Sequence, residues 1–324
     1  MAIKIGIVGY GNLGKGVLCG LKQTKDLELV ALFTRRNPDE LNIQQVNVQH
    51  ISKISEYKGK IDVLILCGGS ATDLPQQSPE LLKDFCIIDS FDTHANIPQH
   101  YQKLNEVGKQ HNTLALLSVG WDPGLFSLAR ILFNSVAPVG KDYTFWGKGV
   151  SQGHSDAIRR IKGVKNAVQY TIPKEDAILK VKSGIMPELE TKDKHLRECF
   201  VVLEDNADAK AVEQEIKQMP NYFADYETIV HFISEQELKE QHSAMPHGGF
   251  VLRSAKSANN NNFLMEFALK LDSNPEFTAS IMLAYARAVY KMYKQGNYGA
   301  ITVFDIPFKY LSTLTEEEQR KQLL

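Results

Sequence analysis

The chain has 324 residues, enough for two domains, and its 37 basic and 38 acidic residues give a formal net charge of −1. This balance excludes the global positive field that recruits nucleic acid or an anionic membrane, so we expect neither as a partner. The longest apolar run, Ile61–Cys67, is too short to span a bilayer, and a first strand at Ile3 leaves no room for a signal peptide.

The cysteines indicate a reducing compartment. Cys19, Cys67, Cys86 and Cys199 show no C-x-x-C spacing and no pairing with histidines. This scatter favours reduced, mostly buried thiols over disulfides or a metal site. We therefore expect a cytoplasmic protein that holds no metal ion.

The N-terminal segment predicts a strand, a glycine-rich turn and a helix, in that order. Ile3–Val8 is a short apolar run rich in β-branched residues, and the motif G-x-G-x-x-G follows at Gly9, Gly11 and Gly14. In a dinucleotide site, the first glycine permits the tight turn, the second lets the backbone approach a pyrophosphate and the third lets the helix pack closely. The N–H groups at the start of the helix then face the phosphates. Ordinary strand-to-helix turns also contain glycines, but this order of elements favours a dinucleotide site.

A second strand at Leu27–Phe33 ends in Thr34, Arg35 and Arg36. NAD enzymes place an acid near this point to bind the ribose 2′-hydroxyl, whereas an arginine suits a 2′-phosphate. No acid stands here, and a guanidinium binds phosphate through two parallel hydrogen bonds. The alternative is a solvated charge pair at a strand end. Together with the glycine turn, the arginine pair favours NADP over NAD.

Three further strands complete a predicted doubly wound parallel sheet, the Rossmann arrangement. They lie at Ile61–Cys67, Phe85–Asp89 and Thr113–Val119, with a helix at Ile97–Gln110 between the last two. Each strand is followed by a loop of small or polar residues, at 67–73, 90–94 and 120–124. Because ligands bind at the carboxyl ends of such strands, these loops predict the edge that faces the ligand.

The second half predicts an α+β domain with a mostly antiparallel sheet. Alternating residues indicate strands at 141–148, 164–171, 194–204, 227–233, 249–254 and 263–271, with helices near 155–161, 174–182 and 208–218 and an exposed loop at 254–262. A long helix at Pro275–Lys294 is rich in small residues, which suit close packing, and a short helix ends the chain. We expect domains at 1–120 and 121–272, and a C-terminal helical segment at 273–324 that packs back toward the first domain.

Two loops of the first domain carry an acid beside an aromatic residue, Phe91-Asp92 and Trp121-Asp122. Acids near a nicotinamide can hold a substrate ammonium or take its proton. Each is equally well explained as a capping or turn residue, above all Asp122, which precedes a proline and a helix. The residue types alone therefore leave the substrate open.

Several long segments together carry a family resemblance. They are GYGNLG, FTRR, CGGSATDLPQQ, DSFDTH, GWDPG, FWGKGVSQGHSDAIRRI, QYTIP, MPHGG and LKLDSNPEFTAS, and the match extends from residue 3 to past residue 306. With them the chain resembles the meso-diaminopimelate D-dehydrogenase family. The resemblance implies a homodimer that converts the D-centre of meso-2,6-diaminopimelate, with NADP⁺, to ammonia and L-2-amino-6-oxopimelate, which cyclises to tetrahydrodipicolinate. In reverse, this reaction serves lysine and cell-wall precursor biosynthesis.

The resemblance also implies the site residues. For the cofactor they are Gly9, Tyr10, Gly11, Asn12, Leu13 and Gly14 at the pyrophosphate, Thr34, Arg35 and Arg36 at the 2′-phosphate, and Cys67, Gly68, Gly69, Ser70, Ser90, Phe91, Asp92, Val119, Gly120, Trp121, Asp122 and Pro123 around the nicotinamide half. For the substrate they are Asp92 and Asp122 at the D-centre, Trp146, Gln152 and Gly153 around that end, and Thr171, Arg197, His247 and Asn274 chiefly at the distal L-centre. Asp92, Asp122 or water would take the ammonium proton.

Two other functions use the same features. A reductase of a cyclic imine or an aspartate-semialdehyde-type compound would keep the fold and need no ammonia. A sensor of NADPH would bind the cofactor without turnover. The polar residues beyond the glycine turn argue against the sensor.

Overall fold

The computed structural model describes residues 2–41, 43–220 and 222–324. Contacts divide the chain into two compact units: Met1–Leu128 with Pro275–Leu324, called unit 1, and Ala129–Asn274, called unit 2. Unit 1 contains a seven-stranded sheet, and unit 2 contains a four-stranded and a three-stranded sheet. In the described part of the chain, no helix combines the length and apolar character needed to cross a membrane.

Strands and helices alternate in the first part of the chain, and longer strands follow. The strands are β1 (Ile3–Val8), β2 (Leu27–Thr34), β3 (Val48–His50), β4 (Val63–Leu66), β5 (Ile87–Asp89), β6 (Leu114–Leu116), β7 (Gly140–Trp146), β8 (Gly149–Val150), β9 (Val164–Pro173), β10 (His195–Leu203), β11 (Glu227–Phe232), β12 (His247–Lys256), β13 (Asn262–Leu271) and β14 (Gly299–Ile301). The α-helices are α1 (Asn12–Leu21), α2 (Leu74–Leu82), α3 (Ile97–His111), α4 (Leu125–Val136), α5 (Gln152–Arg159), α6 (Glu175–Lys182), α7 (Thr191–Lys194), α8 (Ala209–Gln218), α9 (Glu235–Gln241), α10 (Asn274–Lys294) and α11 (Glu316–Leu323).

The sheet of unit 1 is parallel throughout, in the order β14-β6-β5-β4-β1-β2-β3. The prediction of a doubly wound parallel sheet is confirmed. Its central strand β4 is buried along its whole length, as expected for a strand covered on both faces. The strand order reverses between β1 and β4, and the crevice at such a reversal is where ligands bind in sheets of this type.

The long helix α10 lies against α1 within unit 1. A side chain at Gly16 would place its Cβ 2.8 Å from the Pro275 carbonyl oxygen and 3.1 Å from the Ala279 Cβ, so the missing side chain permits this approach. Arg287 donates two hydrogen bonds to Asp26, from Nε to Oδ2 at 2.5 Å and from Nη2 to Oδ1 at 2.9 Å. The guanidinium lowers the pKa of the Asp26 carboxyl, which keeps this pair charged.

The strands of unit 2 are mostly antiparallel, as predicted, but they divide between two sheets. One sheet has the order β11-β10-β9-β8 and the other β13-β12-β7. The pair β10 and β11 is parallel, because the segment that joins them contains α8 and can cross over the sheet. The loop predicted between the last two long strands lies at residues 257–261.

Helices α5 and α8 cover one face of the β9–β10 pair with apolar side chains. Ile158 and Ile216 are fully buried there against Cys199 and Val201 on β10. Because side chains alternate along a strand, Arg197 shares this face with Cys199. The buried face therefore holds a cation beside an apolar core.

Candidate functional site

The glycine turn between β1 and α1 is constrained by contacts between backbone atoms. Gly9 has a φ of +99°, and its N–H donates to the Phe33 carbonyl at 2.8 Å. A Cβ at Gly14 would lie 2.1 Å from the Gly9 carbonyl oxygen, whereas a Cβ at Gly11 would meet no atom within 4 Å. The turn thus closes on itself at Gly14 and leaves open space at Gly11. Asn12 and Leu13 form the first turn of α1.

Two guanidinium groups lie beside this turn. The Arg36 Nη2 donates to the Tyr10 carbonyl at 2.7 Å, and the Arg36 N–H donates to the Thr34 Oγ1 at 3.1 Å. The Arg35 Nη1 lies 2.8 Å from the Asp73 Oδ1 and keeps 68% of its side chain exposed. These contacts hold two positive charges at the carboxyl ends of β1 and β2.

A cavity of about 370 Å³ lies between the turn and the arginines. Its lining residues are Val8, Gly9, Tyr10, Gly11, Phe33, Thr34, Arg35, Arg36, Ile51, Cys67, Gly68, Asp73 and Gln77. Gln77 has a buried Oε1 with no hydrogen-bond partner. An unpartnered acceptor, open backbone at Gly11 and two guanidinium groups fit the phosphates and sugar of a phosphorylated dinucleotide. Gln77 was not among the predicted site residues, although it ends the segment CGGSATDLPQQ, because nothing in the sequence indicates that its side chain turns toward the cavity.

Cys67 lines this cavity as a neutral residue. Burial raises its pKa to about 12, so the thiol stays protonated and neutral. Among the described residues, no group of three or more histidines, cysteines or acids is arranged to hold a metal ion.

The loop after β4 is joined to the loop after β5. The Ser70 Oγ accepts from the Asp92 N–H at 2.8 Å and from the Thr93 N–H at 3.2 Å. Gly69 donates its N–H to Asp73 at 2.8 Å, so the first loop also folds against its own helix. The exposed carboxyl of Asp92 therefore stands on a loop that the loop after β4 supports. Ser90 and Phe91 precede it on the same loop.

The loop after β6 closes tightly before α4. Gly124 has a φ of +133°, and a Cβ there would lie 1.7 Å from the Gly120 carbonyl oxygen. The Phe126 N–H donates to the Trp121 carbonyl at 2.8 Å. Asp122, half-buried, lies inside this closed loop. Strands β5 and β6 are neighbours, so both predicted acids extend from one edge of the sheet, as do Val119 and Pro123.

Arg197 is the central cation of unit 2. It pairs with Thr171 in the β9–β10 register, donates from Nη1 to the Thr171 Oγ1, and has its guanidinium carbon 3.9 Å from the centre of the Tyr226 ring. Its Nε is buried without a partner, and none of the described carboxylates forms an ion pair with it. Burial lowers its pKa from the ordinary value, although an arginine remains charged. By contrast, the equally buried Arg253 pairs with Asp142.

His247 lies beside Thr171 because Gly149 has no side chain. Gly149 pairs with Thr171 in the sheet, and a Cβ at Gly149 would lie 2.5 Å from the His247 Cα. The Gly248 N–H donates to the His247 Nδ1 at 2.8 Å. Burial, and to a lesser degree Arg197, lower the pKa of His247. Asn274 lies near the same segment, since its N–H donates to the carbonyl of residue 245 at 3.0 Å.

His195 holds Trp146, and sequence reasoning missed it. The buried His195 Nε2 accepts from the Trp146 N–H at 2.8 Å, and the two rings stack with centres 5.3 Å apart. Burial, followed by the charge of Arg197, lowers the pKa of His195 to about 3. Its place two residues before Arg197 on β10 puts both on one face, and this spacing is the only signal that the sequence offered.

The remaining predicted residues lie at the start of α5. Gln152 and Gly153 are exposed there, and the Gln152 Nε2 lies 3.5 Å from the Met245 Sδ. Next to them, the Ser151 Oγ and the His154 Nδ1 lie 2.7 Å apart. Unit 1 thus gathers the glycine turn, the arginine pair and the two acids, while unit 2 gathers Arg197 with the hydroxyl and imidazole groups.

Comparisons with known proteins agree on one family. Residues 120–273 match the family model described as diaminopimelic acid dehydrogenase C-terminal domain. A meso-diaminopimelate D-dehydrogenase of Ureibacillus thermosphaericus is 60% identical over 323 residues, which cover 99% of each chain. The corresponding protein of Corynebacterium glutamicum is 44% identical over 304 residues, which cover 94% of this chain and 93% of that one.

Solved structures give the same result. The C. glutamicum DAP dehydrogenase in complex with DAP matches with a TM-score of 0.94 and 41% identity, over 99% of both chains. An engineered D-amino acid dehydrogenase bound to NADP⁺ matches with a TM-score of 0.90 and 40% identity, over the full length of both.

The double variant Arg35→Ala with Arg36→Ala tests the predicted 2′-phosphate contacts. We expect NADP⁺ binding to weaken by roughly 1–3 kcal/mol for each lost charged contact, while NAD⁺, which has no 2′-phosphate, is little affected. Calorimetric titration with both dinucleotides measures the difference. Lys22→Ala removes an exposed cation at the far end of α1 and serves as the matched control. An unchanged NADP⁺ affinity in the double variant would contradict the assignment.

Proposed function

This chain belongs to the meso-diaminopimelate D-dehydrogenase family, and we propose that it catalyses the reversible, NADP-dependent oxidative deamination of the D-centre of meso-2,6-diaminopimelate. The products are ammonia and L-2-amino-6-oxopimelate, which cyclises to tetrahydrodipicolinate, an intermediate of lysine and cell-wall precursor biosynthesis. The observation that carries the substrate assignment is Arg197, a buried cation without a carboxylate partner among the described residues. A buried charge left in this way needs an anionic ligand.

The distal L-centre is assigned to unit 2. Arg197 offers a guanidinium that can bind a carboxylate through two hydrogen bonds, and Thr171 adds a hydroxyl beside it. His247 and Asn274 supply further polar contacts at this end. Burial strengthens each of these interactions, because a low dielectric screens charge weakly.

The reacting D-centre is assigned to Asp92 and Asp122. Both extend from neighbouring strands of unit 1, and two carboxylates suit an ammonium group. The amine must lose a proton before the C–H bond breaks, so the protein needs an acceptor. Asp92, Asp122 and water are the three candidates. Trp146, Gln152 and Gly153 are proposed to bound this end of the substrate.

The cofactor is held by unit 1 in this proposal. When bound, NADP⁺ accepts the hydride of the D-centre and so supplies the oxidising chemistry. The glycine turn binds the pyrophosphate at the start of α1, and Arg35 and Arg36, with Thr34, bind the 2′-phosphate. The loops at 67–70, 90–92 and 119–123 bound the nicotinamide half.

Stereochemical selection follows from holding the substrate at both ends. In this proposal Arg197 anchors the L-centre and the two acids hold the D-ammonium, so the substrate binds in one direction and the D-centre is the one that reacts. Fixed orientation of this kind is among the largest sources of rate acceleration. The histidines around Arg197 add no competing positive charge, because burial lowers the pKa of His195 and of His154 to about 3.

An assay with purified diaminopimelate isomers tests the function. We expect NADP⁺ reduction with the meso isomer and none with the L,L isomer, which has no D-centre. In reverse, NADPH oxidation with tetrahydrodipicolinate should require ammonia. Equal rates with the two isomers would contradict the stereochemical assignment, and oxidation independent of ammonia would indicate an imine reductase instead.

The variant Arg197→Ala tests the carboxylate site. Loss of a charged contact predicts a KM for meso-diaminopimelate that rises roughly tenfold or more, with the Kd for NADPH unchanged. Steady-state kinetics and a binding titration separate the two effects. Arg160→Ala, an exposed arginine of the same unit, is the control. A defect confined to the cofactor would remove Arg197 from the substrate site.

We also propose that the chain forms a homodimer in the cytoplasm through unit 2, with residues 121–272 as the substrate-binding and dimerisation domain. Exposed apolar side chains stand at Ile131, Leu132, Val136, Val139, Phe263 and Leu264. The Val139 carbonyl accepts from the Lys256 N–H, and Asn262 on the edge strand β13 pairs with Lys256, so this set borders one end of the three-stranded sheet. Apolar surface of this kind usually marks an interface.

Sedimentation velocity tests the dimer. The double variant Leu132→Glu with Val136→Glu places two charges on this surface and should shift the protein from dimer to monomer, because the charges would be buried in the interface. Phe308→Glu, at an exposed aromatic of unit 1, is the control and should leave the dimer intact. A dimer that persists in the double variant would place the interface elsewhere.

A further inference from the structure

A third carboxylate, Asp89, lies at the base of both loops that carry the predicted D-centre acids. We infer that Asp89 is a positioning residue, which sets the place of Asp92 relative to Asp122. The inference rests on the proposed role of those two acids. Asp89 itself is the last residue of β5 and is fully buried, so it reaches neither substrate nor solvent.

One oxygen of Asp89 joins the two loops. Its Oδ1 accepts from the Phe91 N–H at 3.2 Å and from the Ser118 N–H at 3.1 Å. The Asp89 backbone carbonyl accepts from the Val119 N–H at 2.9 Å. Phe91 is adjacent to Asp92, and Ser118 stands four residues before Asp122. The start of each loop is therefore bonded to a single residue.

The other oxygen of Asp89 is bonded to the two helices on this side of the sheet. Its Oδ2 accepts from the Ser78 Oγ of α2 at 2.7 Å and lies 2.8 Å from the His100 Nε2 of α3. The His100 ring also stacks on the Phe91 ring, with centres 4.2 Å apart. A carboxylate can accept all four of these hydrogen bonds, whereas a carboxylate buried without them would be costly.

The backbone conformation of Ser118 depends on its hydrogen bond to Asp89. Ser118 has a φ of +58°, a left-handed conformation that serine adopts seldom and at an energetic cost. Its N–H donates to the Asp89 carboxylate, and this hydrogen bond stabilises the conformation. Without this hydrogen bond, the backbone at Ser118 can relax to a common conformation, and the carboxylate of Asp122 then moves. A displacement of about 1 Å can cost roughly a hundredfold in rate.

Three variants separate positioning from simple stability. Asp89→Leu removes both side-chain acceptor oxygens and keeps a side chain that branches at the same carbon, although a larger one. Asp89→Asn keeps an oxygen for the two backbone N–H groups at nearly unchanged size. Ser78→Ala deletes one hydrogen bond on the helix side of the same carboxylate and is the matched control.

We expect Asp89→Leu to lower kcat by roughly 10- to 100-fold, with the Kd for NADP⁺ changed less than about threefold. Asp89→Asn should restore kcat to within a few-fold of the wild type. Ser78→Ala should lower the melting temperature and leave kcat unchanged. The inference would be overturned if kcat of the Asp89→Asn variant were as low as that of Asp89→Leu, or if a folded Asp89→Leu variant kept the wild-type kcat. Asp89→Ser, too short to reach both N–H groups, takes the place of the leucine variant if that variant does not fold.

Asp92→Asn and Asp122→Asn are measured alongside, so that two kinds of failure stay distinct. If both retain wild-type kcat/KM, the proposed D-centre fails and the inference fails with it. If both lose activity while the Asp89 variants keep theirs, the D-centre stands and only the positioning role is refuted.

Discussion

The close approach of Gly14 to the Gly9 carbonyl oxygen is the constraint on which the cofactor half of the molecule depends. Because a Cβ at Gly14 would lie 2.1 Å from that oxygen, only glycine lets α1 begin so near the end of β1. The same turn leaves the space beside Gly11 open. The cavity is therefore lined by backbone at Gly9 and Gly11, just before the start of the helix, which is a place that suits a phosphate group. Arg35 and Arg36 place two positive charges beside the same cavity.

Unit 2 depends on an electrostatic constraint of another kind. Arg197 is buried against an apolar core, where its guanidinium contacts the Thr171 hydroxyl and the Tyr226 ring. The buried Arg253 shows how this fold satisfies a structural arginine, with a carboxylate and two backbone carbonyls. The difference between the two arginines is the physical basis for assigning the substrate carboxylate to Arg197.

The acids of unit 1 depend on neither constraint directly. Asp92 and Asp122 stand on short loops that turn sharply. Hydrogen bonds to neighbouring segments hold each loop in place. Ser70, in the loop after β4, supports the loop of Asp92, and Asp89 accepts hydrogen bonds from the starts of both loops. Loops held in this way can present two carboxylates to one ammonium group, and the parallel sheet beneath supplies the rigid edge.

By itself, the sequence determined the order of elements, the doubly wound sheet, the NADP preference and the family, because each depends on residues close together in the chain. Periodicity and turn residues act locally, and motifs such as GWDPG and WGKGVSQGHSDAIRRI are long enough to be specific. Only the tertiary structure decided that the strands of unit 2 form two sheets, that His195 holds Trp146, and that Asp89 joins two loops. These features depend on contacts between residues far apart in sequence, from 29 residues for Asp89 and Ser118 to 49 for Trp146 and His195. A strand's alternation indicates that it has a buried face, but not which strand or helix lies against that face.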